Sequence, residues 1–161
     1  MSNTKYAGFW MRFGAYIIDY FVVQVLQSFV VLPFLAFLGF SLATQGFDFD
    51  FNAMEEEEVI AMVMAGISAI SSLILITVAI QVLYYSIMES SKYQGTLGKM
   101  ALGIVVTDLN GNPVDFPKAL LRNLAKIVSG MLFAIGYIIA GFTEKKQALH
   151  DIIASALVVK K

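Results

Sequence analysis

Asp19 is the one charged residue between Gly14 and Thr44, in a run apolar enough for a bilayer. An ionisable group there is costly against lipid, so it normally faces a polar partner, water or an ion path. At about 100° per residue, Arg12, Tyr16, Asp19 and Gln27 fall within an arc of about 80° on one helical face. A second apolar run carries Gln81, Tyr85 and Glu89 at every fourth position near its end, which makes a natural facing stripe. Two chemistries fit this pattern. In one, the two stripes line a proton- or cation-handling cleft on the inner half of the membrane. In the other, the same groups form a charge-neutralised packing knot, with Arg12 and Lys99 satisfying Asp19 and Glu89, that sets helix register.

Other polar constellations are weaker. His150 beside Asp151 brings a group that ordinarily titrates near neutrality, but one His and one Asp make neither a metal site nor a nucleophilic triad. Gly95-Thr96-Leu97-Gly98-Lys99 superficially resembles a phosphate loop. Tyr93 stands where the first glycine of that loop is required and Met100 where Ser or Thr would hold magnesium, so no nucleotide site is expected. The block Glu55 to Glu58 reads as an outer boundary that favours the amino end of the following helix, with external cation attraction as the alternative. No enzyme, cofactor or metal site is expected from these residues.

The elements that must position these groups are long helices. Val59 to Met88 is thirty residues without a charge, and a helix of about 20 apolar residues already crosses a hydrocarbon layer of ~30 Å. The expected fold is all-α membrane. It comprises a first helix over 14–44, an outer acidic loop over 45–58, a second helix over 59–88, a loop and small cytoplasmic β-hairpin over 89–116, a third helical segment over 117–143, and a tail over 144–161. In the first helix, Pro33 and the excess length predict tilt, a kink or an end lying in the outer interface. In the second, Ala61, Ala65 and Ala69 with Ser68 and Ser72 predict close packing against the first helix, or a seam between copies.

The eleven Lys and Arg residues fall before the first run, after the second, and near the end, whereas the 45–58 connection holds Asp48, Asp50 and Glu55 to Glu58. Basic short loops stay on the cytoplasmic side, so the amino terminus and the middle are expected inside and the acidic connection outside. The third segment is short for a crossing and punctuated by Gly130, Gly136 and Gly141, so a re-entrant or tightly folded hairpin is favoured over a simple span. Lys118, Arg122 and Lys126 would form a stripe along it that snorkels to headgroups. Ile104 to Thr107, the Asn110-Gly111 turn, and Val114 with Phe116 predict the hairpin. Ala156 to Val159 is expected to join it as a third strand, which requires both segments on one side and the carboxyl terminus inside.

Composition agrees with this picture. The 161 residues are 58% hydrophobic and 14% charged, with a net charge of -1, outside the balance of a soluble domain and without the basic face a nucleic-acid binder needs. There is no cysteine, hence no disulfide or thiolate chemistry. The first apolar run exceeds a signal peptide's core and reads as retained.

Several stretches together resemble the RDD family of small membrane proteins: Arg12-Phe13-Gly14-Ala15-Tyr16-Ile17-Ile18-Asp19; Gly95 to Lys99 with Gly103 to Asp108 and Gly111; Ala119 to Asn123; and Leu149-His150-Asp151 before Val158-Val159. That family is named for one arginine and two aspartates. Arg12 and Asp19 match the first pair, and Asp151, with Asp108 as the alternative, matches the second aspartate. Ala154-Ser155-Ala156 stands where the family usually has Ala-Gly-Thr. The resemblance implies a bacterial-type cytoplasmic-membrane protein with a proposed transport role, including cation/proton exchange. The expected ion-handling set is thus Asp19, Arg12, Glu89 and Asp151, supported by Tyr16, Gln27, Gln81, Tyr85, Lys99, Arg122 and His150. A small transporter of monovalent cations and protons, acting as a homo-oligomer or within a larger membrane complex, is the first expectation. A non-transporting scaffold or accessory subunit is the second.

Overall fold

The computed structural model describes residues 6–45, 54–131 and 135–161. Two long helices dominate it. Helix α1 covers Phe9–Gln45 and passes through Pro33, and α2 covers Glu56–Ser90. Both are long and apolar enough to cross a membrane. Each begins or ends beyond its expected bounds. The amino end of α1 extends back to Phe9, and α2 takes Glu56, Glu57 and Glu58 as its first turn, where acidic side chains complement the unpaired N–H groups. Glu58 also accepts from the Glu55 N–H at 3.3 Å. Asp48 and Asp50 of the expected outer loop, and Lys5 of the first basic zone, lie outside the described residues.

After α2 come the short helix α3 (Leu97–Ala101), strand β1 (Ile104–Asp108), helix α4 (Phe116–Met131), one turn of helix α5 (Ile135–Ile138) continuing as a 3-10 turn to Gly141, helix α6 (Leu149–Ile153) and strand β2 (Ala156–Lys160). The expected local hairpin is replaced by a long-range pair. Strand β1 runs antiparallel to β2, with Val106 opposite Val158, while the segment after the Asn110-Gly111 turn contributes only a single bridge, Thr107 to Pro113. Pro113 has no N–H to extend a ladder. Two residues on, the Asp115 carboxylate accepts from the Lys118 N–H at 3.1 Å and caps α4, so Phe116 is already helical. The other edge of β2 is met by the amino-terminal segment, where Tyr6 bridges Val159 and the Ala7 N–H donates to the Val158 carbonyl at 2.8 Å. The expected pairing of the tail is present.

Two compact units result, each described separately. The first contains Met1–Val23 with Gln81–Lys161, and the second Gln24–Ile80. The core of the first is made of small and β-branched residues: Ala7, Ala15, Ile104, Val106, Val114, Ala119, Ala154, Ala156 and Val158. Such a core draws backbones close together. A β-carbon on Gly98 would lie 2.1 Å from the Ala15 carbonyl oxygen, so only glycine lets α3 seat against α1. In the second unit, Ala61, Ala65, Ser68 and Ser72 are exposed and Ala69 is half-buried, which corrects the expectation that the whole stripe packs inward. There the helices are joined by Gln27, whose Nε2 donates to the Thr77 carbonyl at 2.9 Å.

Candidate functional site

Asp19 is 1% exposed, on the buried side of the first unit. Its carboxylate accepts from the Gly98 N–H at 2.7 Å, from the Thr96 hydroxyl, and from the Tyr84 hydroxyl at 3.2 Å. The Tyr84 oxygen in turn accepts from the Leu97 N–H at 3.3 Å. Tyr84 and Asp19 thus take up the first two N–H groups of α3. These partners are all neutral. The expectation that Arg12 satisfies Asp19 is therefore corrected, for Arg12 reaches elsewhere.

Arg12 pairs with Asp151, and its remaining donors fill the carbonyls of Ala7 at 2.9 Å and Lys146 at 2.6 Å. Asp151 also accepts from the Ala148 N–H at 3.0 Å and, on its other oxygen, from two nitrogens of Arg122 at 2.7 and 2.8 Å. Arg122, 2% exposed, uses its third nitrogen on Glu89 at 2.7 Å. Glu89 is completed by Lys99, by Lys126 at 3.5 Å and by Asn123 at 3.1 Å. The result is one continuous chain of charges: Arg12, Asp151, Arg122, Glu89, then Lys99 and Lys126. Of the knot expected from the sequence, the Lys99 to Glu89 half is present.

Helix α4 carries the centre of this chain, and it does so inside out. Ala119, Arg122, Asn123, Ala125 and Ser129 are buried on one face, whereas Leu121, Leu124, Ile127 and Val128 are exposed on the other. The predicted snorkelling stripe is corrected accordingly: Arg122 and Lys126 point inward because the two buried carboxylates are there to receive them. Asn123 fixes the seating of α4, donating to the Ala119 carbonyl at 2.9 Å and to the Ser86 hydroxyl of α2 at 3.3 Å. Lys126 also lies 4.2 Å from the centre of the Tyr85 ring.

Protonation follows from this burial. Burial pulls the Lys126 ammonium down to about 7, against the opposing pull of Glu89. It lowers Lys99 as well, again opposed by Glu89. For Asp151, burial works to raise the carboxyl, but Arg122 and Arg12 outweigh it and hold the group below its ordinary range. Burial also works to lower the Arg122 guanidinium, and Glu89 and Asp151 outweigh that and raise it. His150 lies 3.4 Å from the Ser129 hydroxyl, with its ring 5.0 Å from that of Tyr137. Burial drives it down to about 2, which corrects the expectation of titration near neutrality.

Of the other expected residues, Tyr16 is exposed, Gln81 is exposed, and Gln27 serves the second unit. Tyr84, not Tyr85, reaches Asp19. Tyr84, Thr96, Ser86 and Asn123 are site residues the pattern reading does not single out, although Thr96 and Asn123 lie within the stretches that carry the family resemblance; Lys126 enters that reading only as part of the snorkelling stripe. Asp108, the alternative second aspartate, accepts from the Asn110 and Asn112 N–H groups at 2.8 Å each and shapes the turn after β1. Asp151 is the aspartate that meets the arginine. No cluster of three metal-ligating side chains occurs among the described residues.

Comparison with known proteins places the whole chain. The chain is 41% identical to the uncharacterized protein YxaI of Bacillus subtilis (strain 168) over 98% of its length and 99% of the relative's. It is 29% identical to the uncharacterized membrane protein YteJ of the same strain, over 99% and 84% of the two chains. It is 28% identical to the uncharacterized protein YckC, over 98% and 87%. No solved structure matches. The RDD family profile matches residues 6–155, spanning Arg12, Asp19 and Asp151 alike, and the chain, a membrane protein with two candidate spans, belongs to the RDD family.

Proposed function

We propose that this protein is a non-transporting scaffold or accessory subunit of the cytoplasmic membrane. Its two helices anchor a rigid cytoplasmic-face unit that a partner protein recognises. The observation that carries this reading is the closure of the ion chain: both oxygens of Glu89 and both of Asp151 are occupied by cations or N–H donors. Thr107 Oγ1, in β1, is the one buried side-chain nitrogen or oxygen without a hydrogen-bond partner among the described residues. An exchanger needs carboxylates that trade partners during a cycle. A closed ion cluster instead specifies one arrangement of the segments that bear it. Orientation is supported by the distribution of basic residues and by β2, which pairs with both β1 and Tyr6 and so calls for the amino-terminal, middle and terminal segments on one side.

A second reading, exchange of a monovalent cation for protons by a homo-oligomer, is favoured by Asp19, a buried carboxylate with neutral partners only among the described residues. Proteoliposomes containing only this protein, with Na+, K+ and pH gradients imposed in turn, separate the two. The scaffold reading expects no flux above empty liposomes and a stoichiometric complex on mild-detergent extraction. Protein-dependent exchange that disappears in Asp19→Asn, with insertion intact, would replace it with the second reading.

A further inference from the structure

Helix α4 reverses the usual amphipathic arrangement. Its charged and amide side chains are buried in protein, and Leu121, Leu124, Ile127 and Val128 form the outer stripe. A water-facing helix of this kind would expose four large apolar side chains while burying an arginine, which inverts the ordinary preference. We infer that the medium against this stripe is lipid and that α4 lies in the plane of the membrane interface, its outer face bedded at the boundary between headgroups and acyl chains.

Three observations fix the occupant. The first is depth: Asn123 bonds Ser86 and Glu89, and Arg122 bonds Glu89, so the middle of α4 sits beside the last turns of the second candidate span. The second is the belt at the start of the first span, in the same unit, where Trp10, Phe13, Tyr16 and Tyr20 are exposed. Tryptophan and tyrosine, with their amphipathic rings, gather at the headgroup level. The third is length. The 16 residues of α4 reach about 24 Å, short of a crossing, and Arg122 in its middle is held by Glu89 at the end of α2. The bilayer is thus a partner of α4 as well as of the two long helices.

The absence of cysteine makes the test direct. Single spin labels are placed at Leu124→Cys and Val128→Cys in the full chain, in vesicles of phosphatidylethanolamine and phosphatidylglycerol. Leu75→Cys in α2 serves as a deep reference and Asn110→Cys in the β1 turn as an aqueous one. Both α4 labels are exposed, and each checks the other should one variant fold poorly. The expected result is greater relaxation by dissolved oxygen than by a water-soluble nickel chelate, at a depth of ~5–10 Å. Preferential nickel relaxation, as at Asn110→Cys, would overturn the inference. So would the depth of Leu75→Cys, which would mean a crossing, or protection from both reagents, which would mean a covering protein. None of these readouts depends on flux or on capture of a partner.

Discussion

In Gln24–Ile80, nearly every described side chain is exposed or half-buried, and Gln27 to Thr77 is the one side-chain hydrogen bond that joins the two helical stretches among the described residues. In the unit formed by Met1–Val23 and Gln81–Lys161, by contrast, Asp19, Glu89, Lys99, Arg122 and Asp151 are buried, and named polar pairs decide which segment meets which. The first kind of sequence needs only length and apolarity, because lipid accepts any such surface. The second kind is specified residue by residue: dispersion between small side chains brings the backbones together, and charges fix the arrangement.

The contrast is broken most severely at Arg122. Arg122→Met should cost roughly 3–5 kcal/mol, because Glu89 and Asp151 each lose a cation while remaining buried. Reversible unfolding in mixed micelles measures this, and a change as mild as that of Leu75→Ala in the lipid-facing unit would show that the charges do not organise the fold. Next comes Gly98→Ala, where the added carbon would collide with the Ala15 carbonyl and displace the N–H that Asp19 accepts. Overpacking of this kind costs about 1–3 kcal/mol. Gly66 of α2 has open space around it, so Gly66→Ala should be neutral or slightly stabilising by the same measurement.

How far these pairs were legible follows from the range over which each acts. Both spans could be read from apolar length alone. Asp19 could be singled out because a helix repeat and the cost of a lone acid are local facts. Its partners could not: Tyr84 reaches Asp19, whereas four-residue spacing selects Tyr85, one position and about 100° away, which lies against Lys126. Nothing local joins Arg12 to Asp151. Their meeting depends on β2 bringing α6 back to the amino-terminal segment. Lys118, Arg122 and Lys126 read as a snorkelling stripe because a basic row on an apolar helix ordinarily faces headgroups. Only the position of Glu89 and Asp151 reverses that rule. The hairpin after β1 was mistaken for a local ladder because its turn is genuine, whereas Pro113 and the Asp115 cap end the return strand at once.

Two smaller effects sharpen the comparison. His150 stays neutral in the fold down to about 2 because burial disfavours its charge, whereas an unfolded histidine takes up a proton below ~6.5. Between these values the unfolded state binds more protons, so stability falls as pH drops through that window. The loss should be about 1 kcal/mol between roughly pH 6 and 5, and His150→Gln should flatten it. An unchanged slope in that variant would assign the acid sensitivity to other groups. Finally, Ser155 holds a left-handed backbone, φ +48, a conformation that glycine adopts without a β-carbon clash. Ser155→Gly should therefore stabilise by about 0.5–1 kcal/mol, read as a rise in melting temperature.

Strand β2 follows every other described element in the chain, yet it is the strip to which both Tyr6 and β1 attach. During synthesis, both candidate spans are therefore already out of the ribosome before the amino-terminal segment and β1 find the strand they share. Asp151, in α6, is made only shortly before β2, so Arg12 is without its carboxylate while both long helices are being made. The ion chain can therefore close only after both long helices have been synthesised.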